Sequence, residues 1–224
     1  VDDSFPLPQN LRQKDLHLPG ITLDLGSHCH HLIHFLTGQT SISVICDQAN
    51  YGFMPNVIDD VTAMIRYNNN FRANIWYSKA ALGHRNGLKI RLFGSDASAE
   101  WVQESPEQLW ISKLKGERIF IDRSSVSTVA CKHRYNRFKV GHPSGFFEAF
   151  DNLYVDLADC LDQYFNNGSY YSEYIFGTEH ALEGLYLFES MHHSLETNSW
   201  VNIKAMMDSD HTCTTKLKHL SFNY

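Results

Sequence analysis

The sequence predicts an α+β fold, with one large, open, mostly antiparallel sheet and helices packed on one of its faces. Two observations support this prediction. Short segments rich in β-branched and aromatic residues follow one another between residues 41 and 122, separated by polar turns. Strongly periodic helical segments precede and follow this run, at Ser27–Thr37 and Ser144–Phe165. Helices on either side of such a run are well placed to cover the apolar face of its sheet.

The predicted strands alternate apolar and polar residues, as strands of an antiparallel meander do. The second helix carries an apolar stripe at three- and four-residue steps, with acidic residues among the intervening positions. A third helix follows a loop rich in Gly, Asn, Ser and Tyr. The predicted elements are strands at 41–49, 61–67, 73–79, 88–93, 99–103, 108–113 and 118–122, and helices at 27–37, 144–165 and 178–195.

The first helix belongs to the stretch GITLDLGSHCHHLIHFLTG, Gly20–Gly38, which holds the main candidates for chemistry. Ser27 or Asp24 is a suitable N-terminal cap, and Gly38 is a suitable left-handed stop. Asp24 and His28 are four residues apart, so helical spacing places both on one face. A neutral imidazole can take a proton from a hydroxyl while a nearby carboxylate orients it. The alternative is a capping Asp and a core His.

Composition excludes several classes of function. The chain has 224 residues, a net charge of −6 and a pI near 6.1, without a basic patch for nucleic acid. It contains no stretch as apolar as a membrane span, no signal pattern at its start, and no glycine-rich phosphate motif. Its five cysteines are scattered, which indicates reduced thiols. We predict a cytoplasmic protein with neither nucleic acid nor membrane as a partner.

Four stretches of the chain match motifs of one enzyme family. They are DLGSH and HFLTG within Asp24–Gly38, GHRNGLKIRLFGS (Gly83–Ser95), WVQESPEQLW (Trp101–Trp110) and GHPSGFFEAFDNLY (Gly141–Tyr154). Together they resemble the Gfo/Idh/MocA family of NAD(P)-dependent sugar and polyol oxidoreductases. Members pair an N-terminal Rossmann domain with a C-terminal α/β substrate domain, and this chain resembles the C-terminal domain.

The resemblance implies hydride transfer between a nicotinamide and a carbon of a sugar, polyol or related compound. It makes His28 the acid/base on the substrate hydroxyl and Asp24 its neighbour in the pocket. It also implies a homo-oligomer in which the sheet pairs with its copy in another subunit. Three residues after the active-site His, the family usually has an Asp that binds substrate. This chain has His31 there, which makes the pocket neutral or cationic.

The resemblance also predicts the domain organisation. Residues 1–19 are interpreted as a linker from a missing N-terminal nucleotide domain, 20–197 as the substrate-binding and dimerisation domain, and 198–224 as a tail. The Rossmann half and the family's catalytic lysine are absent from these 224 residues. NAD or NADP is therefore expected in the full-length protein, with none bound to this chain alone. The chain is expected to be inactive without that half.

Three further substrate-binding candidates lie in glycine-bounded turns. His142 lies in GHPSG, and His84 and Asn86 lie in GHRNG. Such turns can hold a side chain at the mouth of a pocket. The alternatives are that GHPSG simply starts the following helix, and that the glycines of GHRNG alone account for a hairpin turn.

Two other functions stay open at this stage. Asp24, His28 and His31 occur at i, i+4 and i+7, and one carboxylate with two imidazoles suits zinc or a non-haem metal. The second alternative is a non-catalytic binding and dimerisation module without cofactor.

Overall fold

The computed structural model describes residues 15–126 and 128–203. These residues form two compact units. The first unit consists of the described residues up to Ala81 together with those from Phe176 onward, and the second runs from Leu82 to Ile175. Each unit contains one four-stranded antiparallel sheet. The α+β class with antiparallel strands is confirmed, although the strands form two hydrogen-bonded sheets where one was expected.

The helices and strands follow the predicted order. Most observed boundaries lie within two residues of the predicted ones, and α1 and β1 match at both ends. In chain order the elements are α1 (Ser27–Thr37), β1 (Ser41–Ala49), β2 (Asp60–Tyr67), β3 (Arg72–Ser78), β4 (Lys89–Phe93), β5 (Ala97–Val102), β6 (Leu109–Lys113), β7 (Arg118–Ile121), α2 (Phe146–Asn167), α3 (Thr178–Thr197) and β8 (Val201–Asn202).

The first unit has the strand order β3-β2-β1-β8, with α3 packed on β1 and against α1. In β2 every second residue is buried, so one face of the sheet forms the core, as the alternation in the sequence predicts. The core consists of Leu18, Ile21, Val44, Val61, Ala63, Ile65, Tyr67, Ile75, Tyr77, Leu187, Phe188, Met191 and Ile203.

The second unit has the strand order β4-β5-β6-β7 and contains α2. The prediction that the apolar stripe of α2 would cover a sheet is wrong. Its members are exposed by 39% to 80%, and the buried residues of α2 are Asp156 and Cys160. The helix therefore turns a polar side inward, against the direction that its hydrophobic periodicity indicates. The exposed stripe consists of Phe147, Phe150, Leu153, Tyr154, Leu157 and Leu161.

The ends of the chain are described only in part. Of the predicted linker, residues 1–14 lie outside the described residues, as do 204–224 of the predicted tail. The described start of that tail contains β8, which pairs with β1 and which the weak sequence pattern did not indicate. No helix among residues 15–126 and 128–203 has the length and apolar character needed to cross a bilayer.

Candidate functional site

The helical backbone that carries the main candidates begins upstream of α1, at Gly20. Residues Thr22–Gly26 form a π-helical turn that leads directly into α1. Such wide turns are rare and occur frequently at functional sites. The predicted capping role of Ser27 or Asp24 is wrong, because neither caps the start of a helix. Ser27 instead donates its hydroxyl hydrogen to the Asp24 carbonyl at 3.2 Å.

A carboxylate outside the predicted site anchors this helical start. Asp15 Oδ1 accepts a hydrogen bond from the Gly20 amide at 2.8 Å, and its Oδ2 accepts one from the Ile58 amide at 2.6 Å. A carboxylate at a helix N-terminus satisfies an amide that has no intrahelical partner. Asp15 therefore ties the beginning of the helical stretch to the loop between β1 and β2.

The π-helical turn lies close to β3. A Cβ atom added at Gly26 would lie 3.1 Å from the Tyr77 hydroxyl oxygen, so a side chain here would push Tyr77 away by a few tenths of an ångström. The Tyr77 hydroxyl donates to Thr22 Oγ1 at 3.0 Å, and both side chains are buried. Burial raises the pKa of the Tyr77 hydroxyl, which keeps it protonated as a donor. This contact holds the wide turn against the sheet.

Asp24 projects from the π-helical turn and pairs with Lys79, which follows β3. Its Oδ2 lies 3.0 Å from the Lys79 ammonium nitrogen. The Asp24 side chain is 22% exposed and that of Lys79 is 37% exposed, so the pair lies at the protein surface. Lys79 was not predicted as a site residue, because only the tertiary fold brings the end of β3 to the helix.

His28 lies in the first turn of α1 and is exposed. Its imidazole is therefore open to a ligand, and the half-buried Asp24 lies four residues before it. The structure thus places an accessible imidazole and an ion-paired carboxylate on one continuous helical stretch. This arrangement suits proton transfer to or from a hydroxyl group.

His31 is half-buried one turn further along α1. Its ring contacts Phe176 edge-on, with ring centroids 5.5 Å apart, and His30 with centroids 5.8 Å apart. Burial lowers the pKa of His31, and the neighbouring imidazoles lower it further. His31 is accordingly a neutral imidazole near pH 7.

The proposed metal site at Asp24, His28 and His31 does not form. Asp24 is held by Lys79, whereas His31 packs against aromatic rings. In the part of the chain that the structure describes, no three His, Cys, Asp or Glu side chains converge in a way that could hold a metal ion. The metal interpretation is therefore wrong for these three residues.

His31 belongs to a group of imidazoles that sequence analysis did not identify, which we call the histidine cluster: His30, His31, His34 and His180. The rings of His34 and His180 have centroids 4.7 Å apart, and Phe176 contacts His31, His34 and His180. His30 is buried against Gly184, where an added Cβ would lie 3.0 Å from the imidazole. Burial, together with the nearby imidazoles, lowers the pKa of His30 to about 4. The cluster joins α1 to α3.

The other three candidates lie in the second unit, whereas Asp24, His28 and His31 lie in the first. His84 and Asn86 are exposed in the turn before β4, and Gly83 adopts a positive φ of 84° there.

His142 is exposed in its predicted turn. Its Nδ1 lies 3.1 Å from the Lys139 carbonyl oxygen, and its own carbonyl accepts a hydrogen bond from Arg123. Arg123 is 9% exposed and pairs with Glu107 at 3.0 Å. The buried guanidinium therefore holds the turn in shape. Ligand binding by His142, His84 and Asn86 stays a prediction.

Comparison with known proteins connects this site to a family. Residues 2–100 match the family model described as the GFO/IDH/MocA C-terminal domain. Over these residues, which make up less than half of the chain, the sequence is similar to a GFO/IDH/MocA C-terminal domain. The match includes the whole helical stretch from Gly20 to Gly38 and the turn that contains His84 and Asn86, and it ends before His142.

Individual relatives agree with this assignment. An uncharacterized oxidoreductase of Bacillus subtilis (strain 168), YfiI, is 25% identical over 143 residues, which are 62% of this chain and 36% of that protein. An oxidoreductase from Sinorhizobium meliloti has a TM-score of 0.71 at 24% identity, covering 80% of this chain and 51% of that one. An inositol dehydrogenase homolog from Azotobacter vinelandii, complexed with NADH and myo-inositol, has a TM-score of 0.70 at 24% identity. The match covers 80% of this chain and 48% of that one.

These coverages show how much of each longer relative this chain corresponds to. This chain spans about a third of the Bacillus protein and about half of each of the two solved structures. The solved structures share its fold. The similarity therefore covers part of the length of each relative.

Proposed function

We propose that this chain is the substrate-binding and oligomerisation part of an NAD(P)-dependent oxidoreductase acting on the CH–OH group of a sugar, polyol or related compound. The carrying observation is the exposed His28 imidazole four residues after the ion-paired Asp24, in a stretch that matches the GFO/IDH/MocA C-terminal domain model. The Azotobacter homolog, which was solved with NADH and myo-inositol, supports the cofactor and the substrate class.

In this proposal His28 takes the proton of the substrate hydroxyl during oxidation and returns it during reduction. Asp24 stabilises the imidazolium that forms when His28 holds the proton. The Lys79 ammonium, 3.0 Å from the carboxylate, fixes the position of Asp24. These three residues therefore account for proton movement without further groups.

The described residues do not fit a dinucleotide. Both sheets are antiparallel in the described part of the chain, whereas a dinucleotide phosphate cradle needs a parallel strand, a glycine-rich turn and a helix. These residues therefore have no role in holding the cofactor in the proposed reaction. In the proposed enzyme, another part of the protein or another chain holds the NAD or NADP.

The neutral state of His31 bears on substrate choice. The resemblance places a substrate-binding Asp at this position, and His31 replaces its charge with a neutral donor and acceptor. A neutral imidazole can hydrogen-bond a neutral hydroxyl without the desolvation penalty of a buried charge. We propose that this favours neutral polyols or sugars over cationic substrates.

The test is a dehydrogenase assay of the full-length protein with NAD and NADP and a panel of polyols that includes myo-inositol. We expect His28→Ala to lower kcat by about a hundredfold or more, as removal of a general base does. His193→Ala is the matched control, because His193 is an exposed imidazole on α3 bound only to Glu196 among the described contacts. Full turnover in His28→Ala would show that His28 is not the acid/base.

A second candidate function is a non-catalytic dimerisation module, and the sheet of the second unit favours it. Phe93 on β4 is 74% exposed and Phe120 on β7 is 47% exposed. Exposed aromatic residues on a sheet commonly mark an interface. Sedimentation of the purified chain tests this proposal, because Phe93→Ser and Phe120→Ser should convert a dimer into a monomer. A wild-type monomer would exclude both this candidate and the oligomerisation part of the first.

A further inference from the structure

The second unit contains a cavity of about 270 Å³ on the polar side of α2. Its walls come from residues 132–135, from the middle of α2 and from residues 171–174. All of these residues belong to the second unit, and none is a candidate for proton transfer. The polar side chains that line it include Lys132, Arg134, Tyr135, Asp156, Asp159 and Gln163.

One wall of the cavity is a network of charged and hydroxyl groups. The Arg134 Nη2 donates to Asp156 Oδ1 at 2.8 Å and to Asp159 Oδ2 at 2.7 Å. The Tyr135 hydroxyl donates to the same Asp156 oxygen at 2.8 Å. Asp156 is only 9% exposed, so this carboxylate is fixed by its partners. The wall is therefore ordered before any ligand arrives.

The opposite wall is a loop tied to α2. Gln163 Oε1 accepts a hydrogen bond from the Tyr171 amide at 3.2 Å, and Ser172 Oγ accepts one from the Tyr174 amide at 3.1 Å. The rings of Tyr135 and Tyr174 meet edge-on with centroids 6.0 Å apart. These contacts give the cavity aromatic surfaces beside its polar groups.

Stability alone does not explain this arrangement. A buried carboxylate that is paired with arginine is often no more stable than apolar residues of similar volume. The helix α2 also has apolar residues available, yet exposes them and turns Asp156 inward. The polar side of α2, with Asp156, Asp159 and Gln163, lines the cavity instead.

The chemistry of the walls selects the class of ligand. The lining carries two cationic side chains, Lys132 and Arg134, and three acidic ones, Asp156, Asp159 and Glu173, so a strongly charged ligand meets repulsion from one set. Hydroxyl groups both donate and accept, which suits a wall that offers both kinds of partner. The volume corresponds to about nine water molecules. We propose that this cavity binds a neutral polyhydroxylated compound about the size of a monosaccharide, independently of the proposed active site.

The experiment is calorimetric titration of the purified chain with myo-inositol and with D-glucose, each up to about 10 mM, which covers millimolar dissociation constants. Inorganic phosphate and putrescine serve as the charged probes. We expect saturable binding of a neutral probe, weakened at least tenfold in Gln163→Ala and in Asp159→Asn. Asn166→Ala is the matched control, because Asn166 is exposed further along α2, bonds Asp162 and does not line the cavity.

The outcomes separate this site from the proposed active site. Binding that survives His28→Ala and is lost in Gln163→Ala supports the cavity, whatever the dehydrogenase assay shows. Binding that is lost in His28→Ala and kept in Gln163→Ala places the ligand elsewhere and overturns the proposal. Absence of binding to both neutral probes overturns it as well, and so does binding of phosphate or putrescine alone.

Discussion

Acidification should destabilise the first unit through His30, and the size of the effect follows from the structure. His30 is buried, and its pKa falls from 6.5 to about 4 in the folded chain. The unfolded chain therefore binds a proton at His30 between about pH 6.5 and pH 4, whereas the folded chain does not. The contribution of His30 to the free energy of unfolding is complete above pH 6.5 and is lost as the pH falls toward 4. At ~1.4 kcal/mol per pKa unit, the loss is about 3 kcal/mol.

The assay is urea unfolding of the wild-type chain and of His30→Leu at pH 7, 5.5 and 4. Carboxylates titrate in the same range, so the informative quantity is the difference in pH dependence between the two proteins. Between pH 7 and pH 4 the free energy of unfolding falls in both proteins. We expect this fall to be about 3 kcal/mol smaller for His30→Leu than for the wild type. His193→Leu, at an exposed position, should keep the wild-type dependence. Equal pH dependence in wild type and His30→Leu would refute the reasoning.

Three further predictions concern the same unit. Gly184→Ala places a Cβ 3.0 Å from the His30 imidazole, so we expect a loss of about 1–3 kcal/mol in the free energy of unfolding, measured by urea titration. Asp15→Ala removes an acceptor from two amides and should cost about 1–3 kcal/mol in the same measurement; an unchanged midpoint would show that the helical start is held by other contacts. Lys79→Met removes the cation that holds Asp24, so in the proposed dehydrogenase assay of the full-length protein we expect kcat to fall about tenfold, while Lys79→Arg retains most activity. Equal rates in Lys79→Met and wild type would exclude a positioning role for Lys79.

Local sequence patterns predicted what depends on neighbouring residues. The apolar stripe and Gly38 predict the extent of α1, and Gly38 does adopt a positive φ of 62° with its amide bonded to the His34 carbonyl. The alternation in SISVICDQA predicts β1 to the residue. These patterns do not show which strands pair with one another or which helix packs on them. The division into two sheets and the pairing of β8 with β1 depend on tertiary contacts, which the local sequence does not indicate.

The orientation of α2 shows where hydrophobic periodicity misleads. A period of 3.6 identifies two sides of a helix, and the rule that the apolar side faces inward decides between them. In α2 that rule fails: Asp156 is buried with Arg134 and Tyr135 as its hydrogen-bond partners, while the apolar stripe is exposed. Arg134 lies 22 residues before Asp156 in the sequence, so helical spacing could not reveal the pair. A buried acid on a helix is thus predictable only when its partner is known.

The same reasoning explains why the candidate site was found only in part. Asp24 and His28 are related by helical spacing, so they can be recognised together from the sequence. Lys79 reaches Asp24 across 55 residues of sequence, because β3 returns the chain to the π-helical turn that Gly26 and Tyr77 hold in place. The ion pair then depends on the packing of that turn, and the packing depends on a glycine without a side chain. In the proposed mechanism His28 is therefore coupled to the sheet through Asp24 and Lys79, so residues that contact no substrate would affect proton transfer.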